Sequence, residues 1–308
     1  MHKKLLMVLL PLLLAPCAWA QPKVVVSIKP VHALVAGVME GVGTPELLLA
    51  GGESPHSYAL RPSQARALAA AQLVFWVGPE LETFLERPLR SLSGTARLVT
   101  LSQAQGLTLL PVRGGGAWAA DHSHGHGHAH APTGGIDGHL WLDPGNARAI
   151  VTLAQSELER LFPEERERLA ANAARLLGRL EALEAELAQT LDAVREVPYL
   201  VFHDAYQYLE QRYGLNAVGA ISLNPERSPG AQRVREVQRL IRERGARCVF
   251  AEPQFTPRLV ATVVEGSGAR QGVLDPLGAE LPAGPEAYFR LMRALAENLR
   301  TCLEPDLP

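Results

Sequence analysis

Histidine is the residue type whose placement in this sequence could do chemistry. Ten histidines occur in 308 residues, and five alternate with Gly, Ala or Ser in one tract: His122, His124, His126, His128 and His130. Neutral imidazole is the commonest metal ligand among side chains, and a short His-rich tract of this kind cannot pack a core. The loop at residues 121–135 is therefore predicted to hold metal ions weakly. An ordinary solvated linker is the alternative; an expression tag is disfavoured because tags lie at termini.

Three further histidines and one aspartate lie at or near the ends of predicted strands. His56 follows an apolar run through a Gly-rich turn, His139 begins the sequence HLWL, and His203 directly follows PYLVF. Asp275 ends the run at residues 272–274 in the same way. Because ligands of parallel α/β sheets bind beyond the carboxyl ends of strands, we expect these four side chains to meet in one site.

The composition of this set favours zinc. Three imidazoles and one oxygen ligand form a borderline-soft, tetrahedral set that suits Zn²⁺ better than Mg²⁺, Ca²⁺ or Mn²⁺. Taken singly, each residue is more simply explained as a hydrogen-bonded core or capping residue. That simpler explanation is favoured for His32, which lies on the helix after the first strand. The metal prediction rests on the set together with the His-rich loop.

The segments that must position these residues alternate between strand and helix. Buried-type apolar runs separated by helical patterns occupy residues 24–28, 44–49, 73–77, 96–101, 198–202, 248–251 and 272–274. Continuous apolar strands of this kind predict parallel sheets that are covered by helices on both faces. The expected fold class is α/β, with two β/α lobes.

A long helix is predicted to join the two lobes. Leucines recur at helical spacing from Leu169 to Leu191, and Glu and Arg fill the other faces. About 30 residues at 1.5 Å each give a stiff rod of roughly 45 Å, more than one small lobe requires. A coiled-coil dimer is disfavoured because the leucine seam drifts off a strict heptad, so we expect a monomer. The predicted domains are an N-terminal lobe at 21–162, the linking helix at 163–195 and a C-terminal lobe at 196–308.

Composition excludes one class of partner. With 47% hydrophobic and 20% charged residues, the chain can bury one large core or two smaller ones. Its formal net charge of −2 and pI of about 6.6 provide no basic field. Nucleic acid is therefore not expected as a partner.

Residues 1–20 are predicted to form a cleaved secretory signal peptide. A basic start that includes Lys3 and Lys4 precedes an apolar run at 5–14, and residues 18–20 (AWA) form a small-x-small cleavage site. A membrane anchor is disfavoured because spanning requires roughly 20 apolar residues. The mature protein is therefore expected to be exported.

Export changes the interpretation of the three cysteines. Cys17 lies in the signal peptide, and lipidation there is disfavoured because Pro16 precedes it. Cys248 and Cys302 remain as an even pair in an oxidising compartment, where such pairs usually close a disulfide. Two free buried thiols are the alternative. A disulfide would tie the last predicted helix to the second sheet.

Short motifs along the whole mature chain carry a family resemblance. They are SIKPVHALV, SPHSYALRPSQ, FWVGPELETFLERP, HLWLDP, VFHDAYQYLE, NPERSPGAQ, CVFAEPQF and LDPLG. With these motifs the chain resembles the metal-binding family of solute-binding proteins, and within it the periplasmic zinc-binding components of ABC-type importers. The resemblance implies a periplasmic, non-enzymatic protein that delivers Zn²⁺ to a cognate permease in the inner membrane.

The resemblance also implies roles for particular residues. It assigns metal ligation to His56, His139 and His203, and it pairs Cys248 with Cys302. It further implies the long helix between two lobes and a variable His-rich loop. Manganese members of the family tend to carry Glu at the position of His203, so the histidine favours zinc, and a manganese- or iron-binding member remains the alternative.

Two departures from the family pattern affect the fourth ligand. Some zinc members carry Glu immediately before the first ligand histidine, where this chain has Pro55, and Ser57 follows that histidine where Asp is common. The fourth position then falls to Asp275 or water, with Glu53 as a remote candidate. A secreted zinc hydrolase is a further alternative, because three histidines and an open position can activate water. Against it stand the missing HExxH motif and the expectation that Asp275 can fill the open position. Glu252 is the only nearby candidate for a general base.

Overall fold

The structure is a computed structural model that describes residues 23–114, 117–118, 135–222, 229–256 and 258–305. The predicted signal peptide lies outside the described residues. So do the five histidines of the predicted loop: His122, His124, His126, His128 and His130.

The first sheet has four parallel strands in the order β2-β1-β3-β4. The strands are β1 (Val24–Ile28), β2 (Glu46–Leu49), β3 (Leu73–Trp76) and β4 (Arg97–Thr100). Every residue of the two central strands β1 and β3 is buried, as expected for a sheet with helices on both faces.

Four helices accompany this sheet: α1 (Lys29–Val38), α2 (Pro62–Ala70), α3 (Thr83–Leu92) and α4 (Pro144–Leu161). Proline occupies one of the first two positions of α1, α2 and α4, where its fixed φ suits a helix start and its missing N–H costs nothing. Asp143 caps α4, because its side chain accepts a hydrogen bond from the Gly145 amide at 2.7 Å. Local chemistry therefore fixes where these helices begin.

The second sheet repeats the strand order of the first, as β6-β5-β7-β8, and is again parallel. Its strands are β5 (Tyr199–His203), β6 (Ala217–Ser222), β7 (Cys248–Ala251) and β8 (Arg270–Val273). The long helix α5 (Arg166–Leu191) precedes this sheet, whose own helices are α6 (Gln207–Tyr213), α7 (Ala231–Arg244), α8 (Arg258–Val264) and α9 (Ala287–Leu303).

The predicted linking helix is α5 (Arg166–Leu191), with a 3₁₀ turn at each end, Pro163–Glu165 and Asp192–Val194. Its 26 residues span about 39 Å. It packs against α1 and α4 of the first lobe and against α9 of the second. At Gly37 of α1, an added Cβ would lie 2.6 Å from Leu176, so glycine allows the two helices this close approach. The predicted fold class, two β/α lobes joined by a long helix, is confirmed.

One buried apolar cluster runs through both lobes. It includes Val26 and Phe75 of the first sheet, Leu180 of α5, Val201 of the second sheet and Leu295 of α9. Two smaller clusters lie on the outer faces, one under α2 and α3 and the other under α7 and α8. The lobes are therefore held together by a shared core as well as by the chain.

The predicted disulfide between Cys248 and Cys302 is present, with Cα atoms 6.2 Å apart. It joins the first residue of β7 to the last turn of α9. Within the described ranges, no helix is both long and apolar enough to span a bilayer.

Candidate metal centre

His56, His139 and His203 come together between the two lobes. One ring nitrogen from each lies within 4.8 Å of the others, and the ring centroids are 5.1 to 5.6 Å apart. Within the described part of the chain, no other group of three or more His, Cys, Asp or Glu side chains has ligand atoms this close together. The structure therefore brings together three of the four side chains that the sequence predicted to meet.

Each histidine is positioned by a different kind of element. His203 is the last residue of β5, at the carboxyl edge of the second sheet. His139 immediately precedes the 3₁₀ turn Leu140–Leu142, which leads into α4. His56 lies in the turn region after β2, beyond two glycines with positive φ, Gly51 and Gly52. The site therefore combines a rigid strand end, a short turn and a glycine-rich loop.

A carboxylate orients His203. Its Nδ1 lies 2.7 Å from Oε1 of Glu252, which follows the neighbouring strand β7, and both residues are about 95% buried or more. Because an ionised carboxylate only accepts hydrogen bonds, Nδ1 carries the ring proton and donates a hydrogen bond to Glu252. The lone pair of the neutral imidazole is then on Nε2, the nitrogen that faces the other histidines.

His139 is oriented in the same way by a local carboxylate. Its Nδ1 lies 2.8 Å from Oδ1 of Asp137, which also accepts the backbone N–H of His139 at 3.0 Å. Tyr208 fixes the segment, since its hydroxyl donates to the Asp137 carbonyl at 2.8 Å. His139 therefore also directs Nε2 toward the site.

The spacing of these two nitrogen atoms fits a shared tetrahedral metal. The distance from His139 Nε2 to His203 Nε2 is 3.2 Å. Two nitrogens bound tetrahedrally to Zn²⁺ at about 2.05 Å each lie roughly 3.3 Å apart. The surrounding pocket, lined also by Trp141 and Phe255, encloses a cavity of about 10 Å³. That volume holds roughly one ion or one water molecule.

His56 differs from the other two histidines in its environment. Its Nε2 is buried and has no hydrogen-bond partner among the described residues. Burial lowers the pKa of His56 well below its ordinary value, and the neighbouring His139 and His203 lower it further. His56 is therefore a neutral imidazole that can donate its lone pair to a metal.

The pKa of His203 is shifted in the opposite direction to that of His56. Burial lowers its pKa, but the Glu252 carboxylate raises it by charge and by hydrogen bonding, and the net pKa lies above the ordinary value. When His203 is protonated, it can donate from Nε2 to His139 across the 3.2 Å contact. The metal-free site can thus hold a proton at the position that a metal would occupy.

Asp275 does not join the three histidines. Oδ1 accepts from Gln254 Nε2 at 2.8 Å and from the Leu277 and Gly278 amides at 3.0 Å, while Oδ2 accepts from the Ala279 amide at 2.5 Å. The strand delivers Asp275 to this edge of the sheet as predicted, but the following turn wraps around its carboxylate. Ligation by Asp275 would require several of these bonds to break.

The other acidic candidate, Glu53, also has a partner. Its Oε1 forms a salt bridge with Arg61 at 2.9 Å, while Oε2 is buried without a partner among the described residues. His32 is a hydrogen-bonded core residue, in keeping with the expectation from sequence. It is 4% exposed, and its Nε2 lies 2.9 Å from the Pro45 carbonyl oxygen.

Sequence reasoning missed the two orienting carboxylates. Asp137 could have been found, because it lies two residues before His139 and such a spacing allows a local hydrogen bond. Glu252 was noted as a possible general base, but its place beside His203 depends on the pairing of β5 with β7. That pairing has no local signal in the sequence.

Comparison with known proteins identifies relatives over nearly the whole chain. Residues 24–302 match the family model of the periplasmic component A of zinc-uptake complexes, ZnuA. The chain is 45% identical to the high-affinity zinc uptake system protein ZnuA of Brucella abortus over 304 residues, covering 91% of each chain. It is 38% identical to the protein of the same description from Yersinia pestis, over 302 residues and 95% of each chain.

Solved structures share the fold. A crystal structure of ZnuA has a TM-score of 0.77 at 24% identity, covering 92% of this chain and all of that one. A zinc-bound ZnuA deletion mutant has a TM-score of 0.78 at 24% identity, covering 94% and 100%. The solute-binding protein FpvC of Pseudomonas aeruginosa, in complex with Mn²⁺, has a TM-score of 0.78 at 18% identity, covering 92% and 99%.

The structural comparisons show that the fold is shared. The family model and the sequence identity to relatives show that the chain is a member of the family. The match extends from β1 to the last turn of α9 and includes all three histidines of the site. The chain therefore belongs to the ZnuA family, the periplasmic components of zinc-uptake complexes.

Proposed function

We propose that this protein captures Zn²⁺ in the periplasm and delivers it to the membrane permease of an ABC-type importer. The observation that carries the proposal is the convergence of three imidazoles, two of which have Nε2 aimed at one point by a carboxylate on Nδ1. Membership of the zinc-uptake family supports the same function.

The proposed ligands are Nε2 of His139, Nε2 of His203 and the unpartnered Nε2 of His56. Three neutral imidazoles leave one tetrahedral position open, and a water molecule suits it better than Asp275 does. The reason is that both carboxylate oxygens of Asp275 already accept hydrogen bonds from its own turn. Asp137 and Glu252 contribute negative charge that balances the metal without touching it.

Capture requires little rearrangement of the two oriented histidines. His139 and His203 are about 95% buried and hydrogen-bonded before any metal arrives. Metal binding therefore costs little further conformational entropy at these two side chains. His56 lies on the loop after Gly51 and Gly52 and has no carboxylate partner, so it completes the set last. Zinc enters as cargo and leaves unchanged, which distinguishes this protein from an enzyme.

The position of Glu252 argues against the zinc hydrolase alternative, in which this residue would act as the general base. Glu252 is 3% exposed, and Oε1 accepts a hydrogen bond from the side chain of a proposed ligand, His203. A carboxylate in this position orients a ligand and is poorly placed to take a proton from metal-bound water. A protein solved in complex with Mn²⁺ shares this fold, so the fold alone does not select the metal. The choice of zinc over manganese therefore rests on His203.

Metal analysis and titration of the purified mature chain test the proposal. We expect one tightly bound Zn²⁺ per chain, and its loss in each of His56→Ala, His139→Ala and His203→Ala. His32→Ala is the matched control, since it removes a buried imidazole that serves the fold, and it should keep the tight site. Retention of wild-type affinity in His56→Ala would refute the ligand set.

A further inference from the structure

Lys29 is a buried lysine outside the proposed ligand set. It is the first residue of α1 in the N-terminal lobe and is 3% exposed. Its Nζ donates to three carbonyl oxygens of the C-terminal lobe, those of Gly278 at 2.6 Å, Ala279 at 2.9 Å and Leu281 at 2.8 Å. An ammonium has three donors, so the whole hydrogen-bonding capacity of Lys29 is used across the lobe boundary.

The choice of lysine here is informative. The chain has four lysines, of which only Lys23 and Lys29 follow residue 20, while the ion pairs described in this fold use arginine. The compact ammonium of Lys29 serves three converging carbonyls from a single nitrogen atom, whereas Arg233 reaches three carbonyls with two separate nitrogen atoms. Lys29 is therefore built for a cradle of carbonyl oxygens.

The same backbone segment is held from its other side by Asp275. The amides of Leu277, Gly278 and Ala279 point to the Asp275 carboxylate, and the carbonyls of Gly278 and Ala279 point to Lys29. The peptide group that joins Gly278 to Ala279 thus lies between an anion and a cation, with its N–H directed to Asp275 and its C=O to Lys29. Each charge orients the dipole of this peptide group for the other, which strengthens both hydrogen bonds.

This segment forms one wall of the metal pocket. Pro276 and Leu277 line the pocket beside the histidines. The indole Nε1 of Trp141, from the N-terminal lobe, donates to the Pro276 carbonyl at 2.9 Å, and the ring of Trp141 lies 5.5 Å from that of His139. The wall therefore belongs to one lobe but is fastened to the other.

The loop that carries His56 crosses directly over the same contact. A Cβ added at Gly51 would lie 2.5 Å from the Ala279 carbonyl oxygen and 2.7 Å from Lys29 Nζ. Gly51 also has φ of +129°, a conformation that disfavours other residues. The His56 loop is therefore packed directly against the Lys29 contact at Gly51.

We propose that Lys29 and the Asp275 turn form a latch between the lobes that controls how slowly the bound metal leaves. The latch deepens the proposed function and rests on it, since it assigns a positioning residue for release of the captured ion. Metal departure requires the His56 loop or the Pro276 wall to move, and the three charge-assisted bonds of Lys29 oppose both movements. By linkage, bound metal must in turn hold the latch closed.

Release kinetics test the latch. In Lys29→Met, whose unbranched side chain is slightly shorter than that of lysine and has no donors, the dissociation rate of Zn²⁺ into excess chelator should rise at least about tenfold. The association rate should rise as well, because entry and departure follow the same path, but it should rise less than the dissociation rate, so that the affinity falls. Lys29→Gln, which keeps one amide donor group, should release Zn²⁺ at a rate between those of the wild type and Lys29→Met. It also replaces Lys29→Met in the test if that variant folds poorly. Lys23→Met is the control and should release metal at the wild-type rate.

Two further readouts separate a latch from a general structural role. The absorption spectrum of the Co²⁺-loaded protein should be the same in Lys29→Met and wild type, since no ligand changes. Amine labelling of the wild type should be much slower at Lys29 than at Lys23, and Zn²⁺ should slow it further at Lys29 alone.

Several outcomes would overturn the latch. These are an unchanged dissociation rate in Lys29→Met, an altered Co²⁺ spectrum, or labelling of Lys29 as fast as of Lys23. Failure of the proposed function looks different: the wild type would bind no zinc, while slow labelling of Lys29 in the metal-free protein would still show that the contact between the lobes is formed.

Discussion

The Nδ1 atom of His203 lies 2.7 Å from Oε1 of Glu252, and the two residues stand at the ends of neighbouring parallel strands, β5 and β7. Sheet pairing alone therefore sets the tautomer of a proposed metal ligand. The second oxygen of Glu252, Oε2, is buried without a partner among the described residues, so the carboxylate has no competing ion pair there to share its charge.

Glu252→Gln should weaken zinc binding by about 10- to 100-fold, the usual effect of removing a carboxylate behind a ligand histidine. The amide keeps the shape and one acceptor but loses the negative charge. Competition with a zinc-sensitive dye measures the change. Glu243→Gln, on the exposed face of α7, is the control and should leave the affinity unchanged. Equal affinities for Glu252→Gln and wild type would show that this carboxylate does not tune the site.

Metal choice should depend on His203. The native site is expected to bind Mn²⁺ far more weakly than Zn²⁺, because Mn²⁺ prefers oxygen ligands. His203→Glu should narrow this gap, but it places a second carboxylate against Glu252, and that repulsion limits the gain. The double variant His203→Glu/Glu252→Gln should therefore narrow the gap further. Calorimetric titrations with Zn²⁺ and Mn²⁺ measure both affinities. Comparable affinities for the two metals in the native protein would contradict the prediction that His203 selects zinc.

Affinity should fall with pH in a graded way. The pKa of His203 is raised despite burial, because of Glu252, so protons begin to compete with metal as pH drops through a value above 6.5. Burial lowers the pKa of His56 well below 6.5, so His56 begins to compete only in more acidic solution.

Near neutral pH, affinity should therefore weaken by about tenfold per pH unit, far less than the roughly thousandfold limit for three titrating histidines. Calorimetry in two buffers of different ionisation enthalpy counts the released protons, with about one expected. An affinity that does not change between about pH 7.5 and pH 5.5 would mean that histidines do not hold the metal.

Deleting residues 121–130 should leave the tight site intact and remove only weaker binding. All three proposed ligands lie outside this segment, and the backbone on either side of it is paired. The Val112 amide donates to the Gly135 carbonyl at 2.9 Å, and the Asp137 amide donates to the Leu110 carbonyl at 2.8 Å. A short connection can therefore replace the segment. If the tight stoichiometry disappeared in the deletion variant, the segment would supply a primary ligand.

Strands with a continuous apolar run were predictable from sequence because burial on both faces leaves that pattern. The runs at β1, β3, β5 and β7 were found to within about two residues at each end. β6 (Ala217–Ser222) was not predicted, since in AVGAIS a glycine and two alanines interrupt the pattern and only Val218 and Ile221 are large apolar residues. Helix α3 was also missed; it contains Pro88, which normally argues against a helix interior.

The candidate site was predictable as far as single residues carry a signal. A histidine at the end of an apolar run, such as His203, is visible in the sequence, and parallel strands bring such ends to one edge. Asp275 has the same kind of position, yet its carboxylate faces the amides of its own turn. The direction in which such a side chain points depends on the turn that follows the strand. The sequence pattern predicts where the residue lies but not where its side chain points.

The shared core has a consequence for the order in which the chain can fold during synthesis. Helix α1, which begins at Lys29, packs against α9, which ends at Leu303, and both helices contribute to the same buried cluster. The part of the apolar face of α1 that contacts α9 therefore stays uncovered until α9 has emerged, although α4 and α5 can cover the rest of that face earlier. A nascent or truncated chain that lacks α9 exposes that part of α1, which makes it a ready substrate for chaperones and proteases.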